Sequence, residues 1–229
     1  MVCYWKTDKG IHSRKTQSLV SNTASFILSL SIIFPIIAGI VRFKTIPKTY
    51  YPLFYLLLAG LIVELISFKS KNNAAVANLY VLAEFITFCW LFYNLRQVLN
   101  KKKWFYVLTI SFALLWIVEC VFQLKLTSFD IYYRILYPFA LVLLAVNQLN
   151  YLIINERDEI VLNPLFILCC AMIIYFSYKC LIEIFYRYAS DTKMGNSIFS
   201  IHVYVNVLFN ILLTLVVICL PKKRIITLR

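Results

Sequence analysis

The 229 residues are 62% hydrophobic and only 14% charged, with a mean hydropathy of +0.81. A soluble domain is about 45–50% apolar and about a quarter charged, so the composition excludes a soluble globular fold and indicates a bilayer-embedded chain. The net charge of +13 does not mark a nucleic-acid binder. Basic residues fill the short gaps between apolar runs, where they hold helix ends at the headgroups, and no basic face with base-stacking aromatics lies outside those runs.

Residues 1–22 form a polar, basic tail with Lys6, Lys9, Arg14 and Lys15. The following apolar run is long and carries no A-x-A cleavage pattern, so it reads as a retained first span, Thr23–Val41, rather than a signal peptide. Ser21, Ser25 and Ser29 recur every four residues along it, a spacing that allows close helix contact. Pro35 is expected to kink it.

Six further runs approach the roughly 20 residues that cross a bilayer. They cover Tyr50–Phe68, Ala74–Leu95, Trp104–Leu124, Ile131–Ile154, Asn163–Tyr186 and Ser197–Leu220. Residues 221–229 form a short basic tail. The expected fold is all-α: one polytopic membrane domain over residues 23–220, a bundle of seven transmembrane helices. Scarce glycine and the lack of an evident internal repeat weigh against a glycine-packed channel or an inverted-repeat transporter. Cys89, Cys120, Cys169, Cys170, Cys180 and Cys219 fall within spans without zinc-ligand spacing and read as small packing residues. The lysine and arginine bias between the two sets of loops is slight. With the dense clusters Lys101–Lys103 and Lys222–Arg224, it points to an outside N-terminus and a cytoplasmic C-terminus.

Ionisable side chains inside spans are functional candidates, because hydrocarbon cannot satisfy them. Counting from the helix ends puts Glu64, Glu119, Arg134, Lys179, Glu183 and His202 at one depth, on the side of the N-terminus. Glu84 and Asn206 sit deeper. Stripes of the same residues recur on single faces: Tyr80, Glu84 and Thr87; Glu119 and Gln123; Arg134, Tyr137 and Gln148; Tyr175, Lys179, Glu183 and Arg187; His202, Asn206 and Asn210. In a bundle such stripes point inward. A purely architectural account pairs Lys179 with Glu183 and gives Arg134 and His202 a glutamate each. It also leaves Asn210 to bond Asn147 or Gln148.

Glu64, Tyr80, Glu84, Glu119, Arg134, Lys179, Glu183, His202 and Asn206 are therefore the candidate ligand-binding residues. Mixed charges with aromatic walls suit a small polar, zwitterionic or amphipathic ligand. Three activities fit: a receptor or sensor acting through a separate partner protein, a small-solute or proton-coupled carrier using Glu84, and an intramembrane enzyme acting on a lipid. No catalytic residue, cofactor or metal site is assigned. One histidine within the spans excludes a multi-histidine zinc site, and no G-x-S-x-G elbow is present.

Glu64 closing the second span, Tyr80 and Glu84 in the third, and His202, Asn206 and Asn210 in the seventh resemble a group of small, uncharacterised bacterial seven-helix membrane proteins. The resemblance runs through the whole membrane region and implies a bacterial inner membrane, but it brings no activity. The layout is also similar to the membrane sensor part of seven-helix histidine kinases, without a kinase domain. A rhodopsin would need a lysine in the seventh span, and the acidic pattern of lysoplasmalogenase-like hydrolases is not found.

Overall fold

The computed structural model describes residues 26–70, 73–95, 102–128, 132–155, 160–189 and 193–220. The two terminal tails, with Ser21, Ser25 and the Lys222–Arg224 cluster, lie outside the described residues, as does Lys101. Seven helices are long and apolar enough to cross a membrane, and the chain is an all-α, multi-pass bundle. They are α1 (Phe26–Thr45), α2 (Tyr51–Lys69), α3 (Ala74–Asn94), α4 (Lys102–Ile117), α5 (Tyr133–Asn155), α6 (Pro164–Ala189) and α7 (Lys193–Cys219). Helices suit these runs because every backbone N–H and C=O inside the bilayer must be satisfied within the chain.

Local signals set several of the ends. Pro164 opens α6, where its missing N–H costs nothing, and Asn163 Oδ1 accepts the Leu165 N–H at 2.9 Å as a cap. A 3-10 turn at Leu30–Ile32 precedes Pro35 in α1, in the stretch where a helical proline offers no N–H to the carbonyl four residues back. The fourth span ends in a π turn, Val118–Phe122. Leu124 then takes a left-handed conformation (φ 53°), which reverses the chain toward α5. The last two helices are longer than the expected spans, so α6 and α7 leave a shorter gap than residues 187–196. Twenty-six residues make about 39 Å of helix against a hydrocarbon core of about 30 Å.

Sequence neighbours pack against each other, and α1 returns against α7 to close the bundle. The central helix is α3, with 56% of its spanning window buried against only 17% for the peripheral fourth span. Aromatic rings fill the middle. Phe88 meets Phe176 edge-on at 5.4 Å, Tyr175 stacks on Phe209 at 4.2 Å, and Phe85 stacks on Phe112 at 4.4 Å. Gly39 brings α1 against α2: a Cβ there would lie 1.9 Å from Phe54 Cε1. At the end of this seam Arg42 spans to α7. Its guanidinium donates to the carbonyls of Val217 (2.7 Å), Leu220 (2.9 Å) and Ile218, the last-turn oxygens that a helix leaves without intrahelical donors.

Candidate functional site

The buried polar residues assemble in two successive layers along α6. Lys179 and Glu183 stand one turn apart on it, both buried, and i, i+4 spacing would let them pair with each other. Instead each reaches a different helix. Arg134, from the first turn of α5, sets both Nε and Nη2 on Glu183 Oε1, at 2.9 and 2.7 Å. Lys179 Nζ bonds Glu84 Oε2 of α3 at 2.8 Å. The expectation of a glutamate for Arg134 holds; the expected Lys179–Glu183 pair does not form. Cross-pairing is electrostatically preferable, since an internal α6 pair would strand Arg134 and Glu84 as lone buried charges.

The first layer contains the Arg134–Glu183 pair and Asn78 of α3, whose Oδ1 accepts from Arg134 Nη1 at 3.2 Å. Asn78 Nδ2 donates to the carbonyls of Leu126 (2.9 Å) and Ser128 (2.8 Å), and its own carbonyl accepts from Trp116 Nε1 at 2.9 Å. One side chain thus ties the α4–α5 connection over the charge pair. Asn78 is fully buried, yet a search for stripes misses it. It stands six residues from Glu84, on another side of a helix that has neighbours nearly all round. A lone amide in the apolar run Ala74–Ala83 was the available signal.

Glu119 joins this layer as a cap rather than as a pocket wall. Its two oxygens accept the Tyr132 and Tyr133 N–H groups, at 3.0 and 2.7 Å, at the start of α5. A carboxylate there is favoured by the exposed N–H groups and the helix dipole. The π turn carrying Glu119 also breaks the four-residue register, so the expected Glu119–Gln123 stripe fails: Gln123 is exposed.

The deeper layer centres on Glu84. Its Oε2 accepts from both Lys179 Nζ and Tyr137 OH, each at 2.8 Å. The ammonium also lies over the rings of Tyr137, Tyr175 and Phe176, at 5.2, 5.5 and 5.6 Å, distances at which ring quadrupoles attract a cation. The expected face of Arg134, Tyr137 and Gln148 is buried throughout. Thr87 departs from the α3 stripe and turns its hydroxyl back to the Ala83 carbonyl at 2.6 Å. On the far side of Glu84 lies a cavity of about 20 Å³, lined among others by Tyr80, Glu84 and Asn210.

His202 and Asn206 are buried on the α7 face that meets α6, with the imidazole 6.2 Å from the Tyr175 ring and 6.4 Å from the Tyr178 ring. Asn210 does not reach α5. Its Nδ2 donates to Ser31 Oγ of α1 at 2.8 Å, while Asn147 faces outward. The pairing follows from α1 closing the ring against α7, a neighbourhood that the span order leaves open. Glu64 is buried on α2, one turn before the buried Ser67. The cysteines keep their packing role, with one addition: the Cys180 thiol points to the Ile135 carbonyl at 3.6 Å.

Among the described residues no three histidine, cysteine or carboxylate side chains converge as a metal centre would require. No protein-family profile, curated protein or solved structure matches the chain. The chemistry of the two layers is thus the ground for a functional reading. They hold two cation–carboxylate pairs, the Tyr137 phenol on Glu84, and the neutral amide of Asn78 as a tie.

Proposed function

We propose that this chain is a ligand-responsive sensor module of a bacterial inner membrane, with its N-terminus outside and its C-terminus cytoplasmic, acting through a partner protein. The ligand is small and carries charges of both signs, or one charge and an apolar body. The observation that supports this is the cross-pairing of α6. Replacing a buried ion pair with packed apolar residues is often neutral or stabilising by about 1–4 kcal/mol, so stability alone does not account for keeping two of them. A zwitterion offers each pair a substitute: a carboxylate for Arg134 and Lys179, and a cation for Glu183 and Glu84. Binding then frees α6 from α3 and α5, and the displaced helix is the signal that a partner reads.

The test is thermal unfolding of the protein in nanodiscs against amino acids, quaternary-ammonium zwitterions and short carboxylates. One class should raise Tm saturably, and the double substitution Arg134→Gln/Glu183→Gln should abolish the rise while the protein stays folded. An equal rise in the double variant would sink the assignment. A C-terminal reporter that fluoresces only in the cytoplasm tests the orientation.

The placement of Glu84 favours a second reading, a proton-coupled carrier. The carboxylate sits between a lysine on one side and a cavity on the other, which are two routes for exchange. A carrier moves solute into proteoliposomes and loses coupling on Glu84→Gln; a sensor binds without net uptake.

A further inference from the structure

We infer that the cavity beside Glu84 is a binding site for a single water molecule, which completes a hydrogen-bonded line across the bundle. A water needs roughly 10–15 Å³ or more and two to four polar partners. The cavity offers about 20 Å³ between α1, α2, α3 and α7, with Ile32, Leu53, Leu56, Leu57, Phe209 and Leu213 as its apolar walls. Its polar walls are Glu84, Tyr80 and Asn210, all buried.

The bonding pattern sets the orientation of the guest. Glu84 spends Oε2 on Lys179 and Tyr137, so Oε1 is the acceptor that remains for the cavity. Asn210 spends one Nδ2–H on Ser31, which leaves its Oδ1 as an acceptor there. A water placed between them donates one O–H to each. It accepts from the second Nδ2–H of Asn210. A sodium ion suits the space less well, because the Lys179 ammonium is already 2.8 Å from the same carboxylate and like charges repel strongly at low dielectric.

With the water in place, one line runs from Lys179 on α6 through Glu84 on α3 and Asn210 on α7 to Ser31 on α1. It joins the charge pair of the candidate site to the α1–α7 seam on the other side of the bundle. It also gives Glu84 an exchange contact that leaves the lysine bond intact. The site stands whether or not the chain is a sensor, because it rests on the cavity and its polar wall alone.

The experiment is an experimental map of the full chain in nanodiscs, fine enough to show ordered water, for the wild type, Asn210→Leu and Leu213→Phe. The wild type should show one peak within hydrogen-bond distance of Glu84 and Asn210. Asn210→Leu removes a partner and Leu213→Phe fills the space, so both should lose the peak. An apolar, featureless cavity in the wild-type map overturns the proposal, and that map decides alone if the variants fail to fold. A Tm that rises saturably with sodium chloride but not with choline chloride, and does so only while Glu84 is present, also overturns it by identifying a cation.

Discussion

Removing Lys179 and removing Glu84 should have unequal costs, although the two form one ion pair. In Lys179→Met the Glu84 carboxylate stays buried with Tyr137 OH as its remaining side-chain donor. Stranding a buried charge in this way costs about 3–5 kcal/mol. In Glu84→Gln the ammonium keeps a carbonyl oxygen within reach. It also keeps the three rings at 5.2–5.6 Å, each contributing about 0.5–2 kcal/mol of cation–π attraction. The amide can still accept from Tyr137. The expected cost is therefore smaller, about 1–3 kcal/mol, by the scale for a lost charged hydrogen bond. The double variant Glu84→Gln/Lys179→Met leaves no charge behind and should lie within about 1–2 kcal/mol of wild type, because a neutral replacement avoids the desolvation of both ions. Unfolding in mixed micelles of rising denaturing-detergent fraction, followed by circular dichroism, gives the three differences and their coupling. Additive costs would refute the reasoning, as would a Glu84→Gln variant less stable than Lys179→Met.

Gly39→Ala would ordinarily stabilise a helix by about 0.5–1 kcal/mol, but the added Cβ meets Phe54 at 1.9 Å. Tm should fall, and Phe54→Leu in the same chain should restore part of the loss. Glu119→Gln keeps the shape of the cap and loses its charge. Amide exchange at Tyr132 and Tyr133 should quicken by several-fold, corresponding to about 1 kcal/mol of capping, while the rest of α5 is unchanged. Arg42→Gln should loosen the end of α7, seen as faster exchange of the last-turn amides, with the Arg134–Glu183 layer unaffected.

The seven spans were legible because each is a near-continuous apolar run of bilayer length, and the backbone has no other way to cross hydrocarbon. The inward stripes were legible for the same reason: Glu84, Arg134, Lys179, Glu183, His202 and Asn206 are all buried. Partners were not. Four-residue spacing says which side chains share a face, but not which face of another helix comes opposite. Lys179 and Glu183 could therefore be paired on paper, although cross-pairing is what neutralises Glu84 and Arg134 as well. The Glu119–Gln123 stripe failed because nothing in Val118–Phe122 announces a π turn, which shifts every later residue off the expected face. Asn210 and Ser31 come together only through the closure of α1 on α7, a property of the whole ring. From the sequence Arg42 is one more basic residue in a gap between apolar runs, since its guanidinium contacts depend on the α7 carbonyls that α1 happens to meet.

The two charge layers constrain α6 more than either does alone. A rotation that relieved the Lys179–Glu84 pair would still have to break Arg134–Glu183, because both hold the same helix one turn apart. On the sensor reading proposed above, a ligand of both charges meets an opposite charge in each pair, whereas a singly charged ligand with an apolar body meets one. Moving a two-state equilibrium from 1:99 to 99:1 requires about 5.5 kcal/mol of differential binding. That is well above a single neutral hydrogen bond at about 1 kcal/mol, so one such contact does not suffice. Two further ties, one from a neutral amide and one from a guanidinium, run to backbone carbonyls. Asn78 holds the α4–α5 connection to α3, and Arg42 holds α1 to the end of α7. Those contacts make a frame; on the sensor reading proposed above, α6, whose ion pairs reach both α3 and α5, is the helix that a ligand would release.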